Sequence, residues 1–212
     1  MDEELQLEQP VSTEEAPKAS QGPAAAIFDC IEVFVFTVLS VMLLLMCAFR
    51  ICRVSGPSMD NTLQDGQKLV VSNLFYTPDT GDIIVFHQTS DLYDQFNEPI
   101  VKRVIATGGE FVKIDFKANK VYVSADESFE ETEVLDERAY ALFESPDGVW
   151  KESFYQSDIV YAVPEGHLFV LGDNRNISAD SRSHYVEFVD ERCVLGRVLV
   201  RISPLSKFGK VD

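Results

Sequence analysis

Val33 to Phe49 (VFVFTVLSVMLLLMCAF) is an apolar run with no charged side chain, and it constrains this chain more than any other stretch. As a helix rising 1.5 Å per residue, its seventeen positions reach about 26 Å, slightly short of the roughly 30 Å hydrocarbon core of a bilayer. Ile27, Phe28 and Ile31 can extend it on one side, and Arg50 can snorkel on the other. A secretory signal peptide would need small residues after the run, whereas Phe49, Arg50 and Ile51 follow. A buried core helix is the soluble alternative. We read residues 24–53 as one uncleaved transmembrane anchor.

The flanks differ in character. Residues 1–23 are acidic and rich in Glu, Pro, Ser and Gln, with Lys18 the only cation. Such a segment buries too little apolar surface to offset its ordering entropy, so a disordered tail is expected. With 212 residues, the chain can hold one sizeable domain plus an anchor, or two small domains; we read residues 54–212 as one domain. The formal net charge of −17 argues against nucleic-acid binding, which needs clustered Lys and Arg. Cys30, Cys47, Cys52 and Cys193 form no C-x-x-C pair, so neither a zinc site nor a disulfide framework is indicated.

Beyond the anchor the chain reads as short strands. Gly81–Phe86 is a turn followed by a continuous apolar strand, which predicts burial on both faces. Asp91–Pro99 is a polar loop. In Ile100–Ile105, period-two alternation places Lys102 and Arg103 on opposite faces, so one of the two cations is expected to be partly buried. Phe111–Ile114 and Lys120–Val123 suit a hairpin. Residues 124–158 are acidic, aromatic and weakly patterned, and read as a partly exposed insert. His167–Leu171 is an apolar strand that ends in the polar loop Gly172–Arg182, and Val194–Ile202 is the closing strand.

Two places can carry chemistry. Ser58 lies between Pro57 and Met59 on a Gly/Pro-broken segment, where its hydroxyl can be exposed. A serine hydroxyl is a weak nucleophile until a base takes its proton. His87, His167 and His184 are available, and a Ser-His-Asp triad stays open because geometry defines it. Lys102 is the better base: a lysine on an apolar strand face loses hydration, and this lowers its pKa and frees a neutral amine. Loops on rigid scaffolds often carry function, which draws attention to Gly172–Arg182.

In this order the segments resemble the boxes of bacterial type I signal peptidases, the membrane-anchored Ser-Lys leader peptidases. The nucleophile box is similar to Ser58-Met59 with Thr62-Leu63, and the next to Gly81–Phe86. The lysine box resembles Val101–Ile105 with Gly109-Glu110, and the last box Gly172–Arg182. The resemblance covers about residues 24–204 apart from the insert. It implies a mostly β fold: a catalytic domain of coiled antiparallel β-sheet with a small inserted lobe, behind one N-terminal transmembrane helix. It further implies Ser58 as nucleophile, Lys102 as general base, Ser178 orienting the lysine, and Asp180 with Arg182 as a supporting ion pair. The backbone N–H of Ser58 would serve the oxyanion hole. Two positions depart from the pattern. Asn61 stands where the family usually has Pro, and Gly56 stands where some members have a serine that assists the oxyanion hole.

The resemblance implies an endopeptidase that removes signal peptides from exported preproteins through an acyl-enzyme, with no metal or organic cofactor. The implied partners are signal peptides, the lipid bilayer and, as a further candidate, the protein-export machinery. A self-cleaving Ser-Lys protease of the LexA kind is disfavoured by the anchor and the lack of a DNA-binding region. An inactive signal-peptide-binding or scaffolding homologue is the rival from outside enzymology. The function requires the tail in the cytoplasm and residues 54–212 outside. The positive-inside rule, reading Lys18 before the span against Arg50 and Arg53 after it, points the other way.

Overall fold

A computed structural model describes residues 23–87, 98–116, 118–130, 132–143 and 159–211. The acidic tail up to residue 22, residues 91–97 of the polar loop and residues 144–158 of the insert lie outside the described residues.

The chain divides into two compact units, Met1–Leu44 and Leu45–Asp212. Helix α1 runs over Pro23–Ala48. Proline suits a first helical position, where the missing N–H has no partner in any case. Within it, the 23 residues Ala26–Ala48 are apolar enough to cross a membrane. At 1.5 Å per residue they span about 35 Å, which exceeds the roughly 30 Å hydrocarbon core. The helix thus gains the residues before Val33, Asp29 and Glu32 included, and is not limited to the uncharged run. It ends sooner than residue 53. Arg50–Arg53 form strand β1, an edge strand on β2 (Lys68–Ser72). Ser72 Oγ donates to the Ala48 carbonyl at 2.7 Å, satisfying one of the carbonyls a helix end leaves open.

The remaining strands are β3 (Ile83–Phe86), β4 (Ile100–Ala106), β5 (Phe111–Asp115), β6 (Lys120–Ser124), β7 (Thr132–Val134), β8 (Val160–Ala162), β9 (His167–Leu171), β10 (Val189–Asp190), β11 (Val194–Ser203) and β12 (Gly209–Lys210). Among the described residues they form two antiparallel sheets. The larger has the order β1-β2-β11-β3-β4-β9-β10, with β12 on β11, and the smaller β7-β6-β5-β8. β11 changes register between Val194 and Gly196, between Val198 and Val200, and between Arg201 and Ser203. Each irregularity bends and twists the strand, and repeated bends curl the sheet. The mostly β fold with an N-terminal apolar helix agrees with the expectation.

β3 is buried along its whole length, because its alternate residues enter two cores. Ile83 and Val85 pack with Met59, Leu63 and Leu69. Ile84 and Phe86 pack with Val104, Leu168 and Val170. Complete burial of such a side chain is worth about 1.5–3 kcal/mol, so β3 is a rigid reference for its neighbour β4. On β4 the expectation of one partly buried cation needs correction: Lys102 and Arg103 are each only 3% exposed. Part of the supposed insert explains this. Tyr140, from that segment, lies against Arg103, 4.0 Å from the guanidinium carbon to the ring centroid.

Candidate active site

The loop carrying Ser58 is gripped at both ends by the core. Met59 and Leu63 are buried beside β3, and Leu63 N–H donates to Met59 O at 2.8 Å. Gly56 adopts φ +82 and donates its N–H to Asp65 Oδ1 at 2.9 Å. That backbone conformation favours glycine. Ser58 itself is half-buried and faces a cleft of about 200 Å³.

Across the cleft stands Lys102. Its Nζ donates to Ser58 Oγ at 2.9 Å and to the Val101 carbonyl at 3.1 Å. Burial pushes the amine down to about 8; Asp180 and Asp173 pull it up, and Arg182 pushes it further down. Desolvation therefore prevails over the nearby carboxylates, as expected for an ammonium taken out of water. An amine near 8 is partly neutral at physiological pH and sits within reach of a hydroxyl.

The polar loop after β9 closes over this pair. Asp180 accepts Gly172 N–H at 3.0 Å and both Nε and Nη2 of Arg182, at 2.7 and 2.8 Å. Burial opposes its ionisation, but Arg182, Gly172 N–H and the Ser178 hydroxyl outweigh it and hold the carboxyl below the usual range. Ser178 lies beside Asp180 and packs against Gly172. A Cβ on Gly172 would overlap the Ser178 hydroxyl and lie 2.5 Å from the Ser58 carbonyl oxygen. Only glycine permits that approach. Asn174 N–H then donates to the same Ser58 carbonyl at 3.0 Å, joining the loop after β9 to the backbone of the Ser58 loop.

Sequence reasoning assigned no site role to several residues here. Arg103 forks Asp173, Nε to Oδ1 at 2.9 Å and Nη2 to Oδ2 at 2.8 Å, and Asp173 also accepts Thr62 Oγ1 at 2.5 Å. Arg175, fully buried, pairs with Glu137 and donates Nε to the Gly172 carbonyl at 2.9 Å. Glu137 comes from the acidic segment 124–158, where one carboxylate among many carries no distinguishing signal. Asp173 and Arg175 lie in a loop whose polar density was legible, although their partners were not.

The histidines stand elsewhere. Among the described residues lining the Ser58 cleft there is no histidine. His87 follows β3 and donates its N–H to the Cys193 carbonyl, His167 Nδ1 lies 3.1 Å from the Glu165 carbonyl, and His184 stacks on Tyr185.

The family described as "Signal peptidase, peptidase S26" matches residues 27–203. A probable signal peptidase I-1 of Synechocystis sp. is 32% identical over 164 residues, covering 74% of this chain and 73% of that protein. Signal peptidase IB of Staphylococcus aureus is 32% identical over 164 residues, covering 73% of this chain and 78% of its own. The crystal structure of a signal peptidase I from Enterococcus faecalis V583 aligns with a TM-score of 0.39 and 26% identity, covering 57% of this chain and 97% of that one.

Proposed function

This chain belongs to the signal peptidase family, whose members are serine endopeptidases acting on signal peptides, and from that premise we propose that it cleaves preproteins with a Ser58–Lys102 dyad through an acyl-enzyme. The observation that carries this reading is the 2.9 Å contact between Lys102 Nζ and Ser58 Oγ in an open cleft. In the proposed reaction, neutral Lys102 takes the Ser58 proton as Oγ attacks the carbonyl of the residue before the cut. The Ser58 backbone N–H stabilises the resulting oxyanion. The lysine then gives its proton to the leaving amine, and activates the water that releases the acyl group. Ser178, Asp180 and Arg182 serve this dyad as support. The buried Asp180–Arg182 pair anchors the loop, and in this proposal Ser178 orients the lysine. The cleft walls include Val54, Met59, Ile100 and Val101. An apolar wall of this kind suits small side chains such as alanine before the cut.

Within the same proposal α1 is a single-pass anchor in the cell membrane, residues 1–23 are a cytoplasmic tail and residues 54–212 an extracytoplasmic peptidase domain. Preproteins bearing signal peptides are its substrates and the bilayer its support; contact with the export machinery is a further proposal. The test is cleavage of a preprotein whose signal peptide ends in Ala-x-Ala. Ser58→Ala and Lys102→Ala should each abolish cleavage, and the double variant should lose no more than either single one, since residues acting as a unit are strongly non-additive. Substantial cleavage by Lys102→Ala would transfer the base role to another group.

A further inference from the structure

We propose that Asn61 is a positioning residue: its left-handed backbone and its side-chain amide hold the turn after Ser58 so that the hydroxyl meets Lys102. This rests on the dyad reading and adds to it a residue outside the dyad and its support loop.

Asn61 has φ +89. It is the third residue of a turn closed by Thr62 N–H to Met59 O at 3.1 Å. At that place in a turn a positive φ suits glycine or asparagine, because other side chains collide with their own backbone. Met59 and Leu63 on either side are buried, so the conformation is imposed by the core and not chosen by a free loop. A proline ring holds φ near −65° and cannot occupy this conformation. Asn61 is therefore no weakened copy of the proline that the family usually places here. In this chain the turn is built differently.

The side chain adds a tie. Asn61 Nδ2 donates to the Tyr140 carbonyl at 3.0 Å. The Tyr140 ring lies under Arg103, Arg103 forks Asp173, and Asp173 accepts Thr62 Oγ1. The circuit returns to the residue beside Asn61. It passes through Arg103, the neighbour of Lys102 on β4, and so references the loop of the nucleophile to the strand of the base. Arg201 Nη1 adds a further bond to the Thr62 carbonyl, at 3.1 Å. The Asn61 amide bond is exposed, so the backbone conformation is the larger of its two contributions.

The experiment uses the full-length protein in detergent and a soluble peptide containing an Ala-x-Ala cleavage site, and reads kcat, KM and the melting temperature. Asn61→Asp and Asn61→Gly keep the left-handed turn and lose the amide donor. They should lower kcat about two- to tenfold, the range of one net hydrogen bond. Asn61→Pro should lower kcat about a hundredfold or more with KM nearly unchanged, the penalty for moving a reacting atom by about 1 Å. Should Asn61→Pro fail to fold by its melting curve, Asn61→Gly must still exceed Asn61→Ala in kcat, because glycine adopts the positive φ freely and alanine does not. Native-like activity of Asn61→Pro, or Asn61→Ala matching Asn61→Gly, overturns the proposal. Ser58→Ala run alongside separates the two readings. If it remains active the dyad reading fails; if it is dead while Asn61→Pro is fully active, only the role of Asn61 fails.

Discussion

Lys102 has a chemical environment that makes a direct prediction about pH. Burial brings its amine down to about 8 against the pull of Asp180 and Asp173. The proposed dyad would need the neutral form, which predominates above that value. Cleavage of a soluble peptide should therefore rise with pH along a single-proton limb with its midpoint near 8, losing about tenfold per unit well below it. A pH profile of kcat/KM reads this directly in the free enzyme. A midpoint near 6.5, the ordinary range of histidine, would count against the lysine. The direction of the shift was legible from an apolar strand carrying a cation. Its extent was not, because Asp180, Arg182 and Asp173 come from residues 70 and more positions away.

At the scale of elements, β4 is what joins the proposed base to its proposed support. One face presents Lys102 to the Ser58 loop, and the other presents Arg103 to Asp173 and Tyr140. The alternation was readable, but the cover over the Arg103 face was not, since Tyr140 and Glu137 lie in a segment without periodicity. That segment is fastened to the loop after β9: Leu142 N–H donates to the Asp173 carbonyl at 2.7 Å, and Arg175 N–H to the Leu142 carbonyl at 3.1 Å. Glu137 neutralises Arg175, and both are buried. Removing one partner of a buried pair leaves an uncompensated charge and typically costs about 3–5 kcal/mol. Glu137→Ala should therefore lower the unfolding free energy by roughly that amount, and activity with it, despite its distance in sequence from every motif residue. Denaturant titration measures it; a loss below about 1 kcal/mol, the size of an exposed pair, would show that Glu137 is not holding the loop.

For the whole molecule the decisive property is sidedness. Charge near the span gives Lys18 on one side against Arg50 and Arg53 on the other, which by itself would retain the peptidase domain inside. Signal peptides are cut after translocation, which demands the reverse. Two exposed arginines can be accommodated outside by anionic headgroups, and the acidic tail contributes little to the rule. Protease added to intact protoplasts should degrade residues 60–212 and spare the tail. Survival of those residues until lysis would remove the proposed topology and the proposed role in export together.

What the sequence determined by itself was local: a span long enough for a bilayer, a strand buried on both faces, a serine on a turn-forming stretch, a lysine on an apolar face and a loop too polar to be idle. Each of these depends on spacing or side-chain chemistry within a few residues. The tertiary structure decided what met what. It set Ser58 opposite Lys102 over 44 positions, made Gly172 necessary because Ser178 and the Ser58 carbonyl occupy its side-chain space, and turned Asn61 left-handed. Those outcomes follow from long-range packing and from ion pairs that form only when both partners are buried together, and such terms leave no periodicity along the chain.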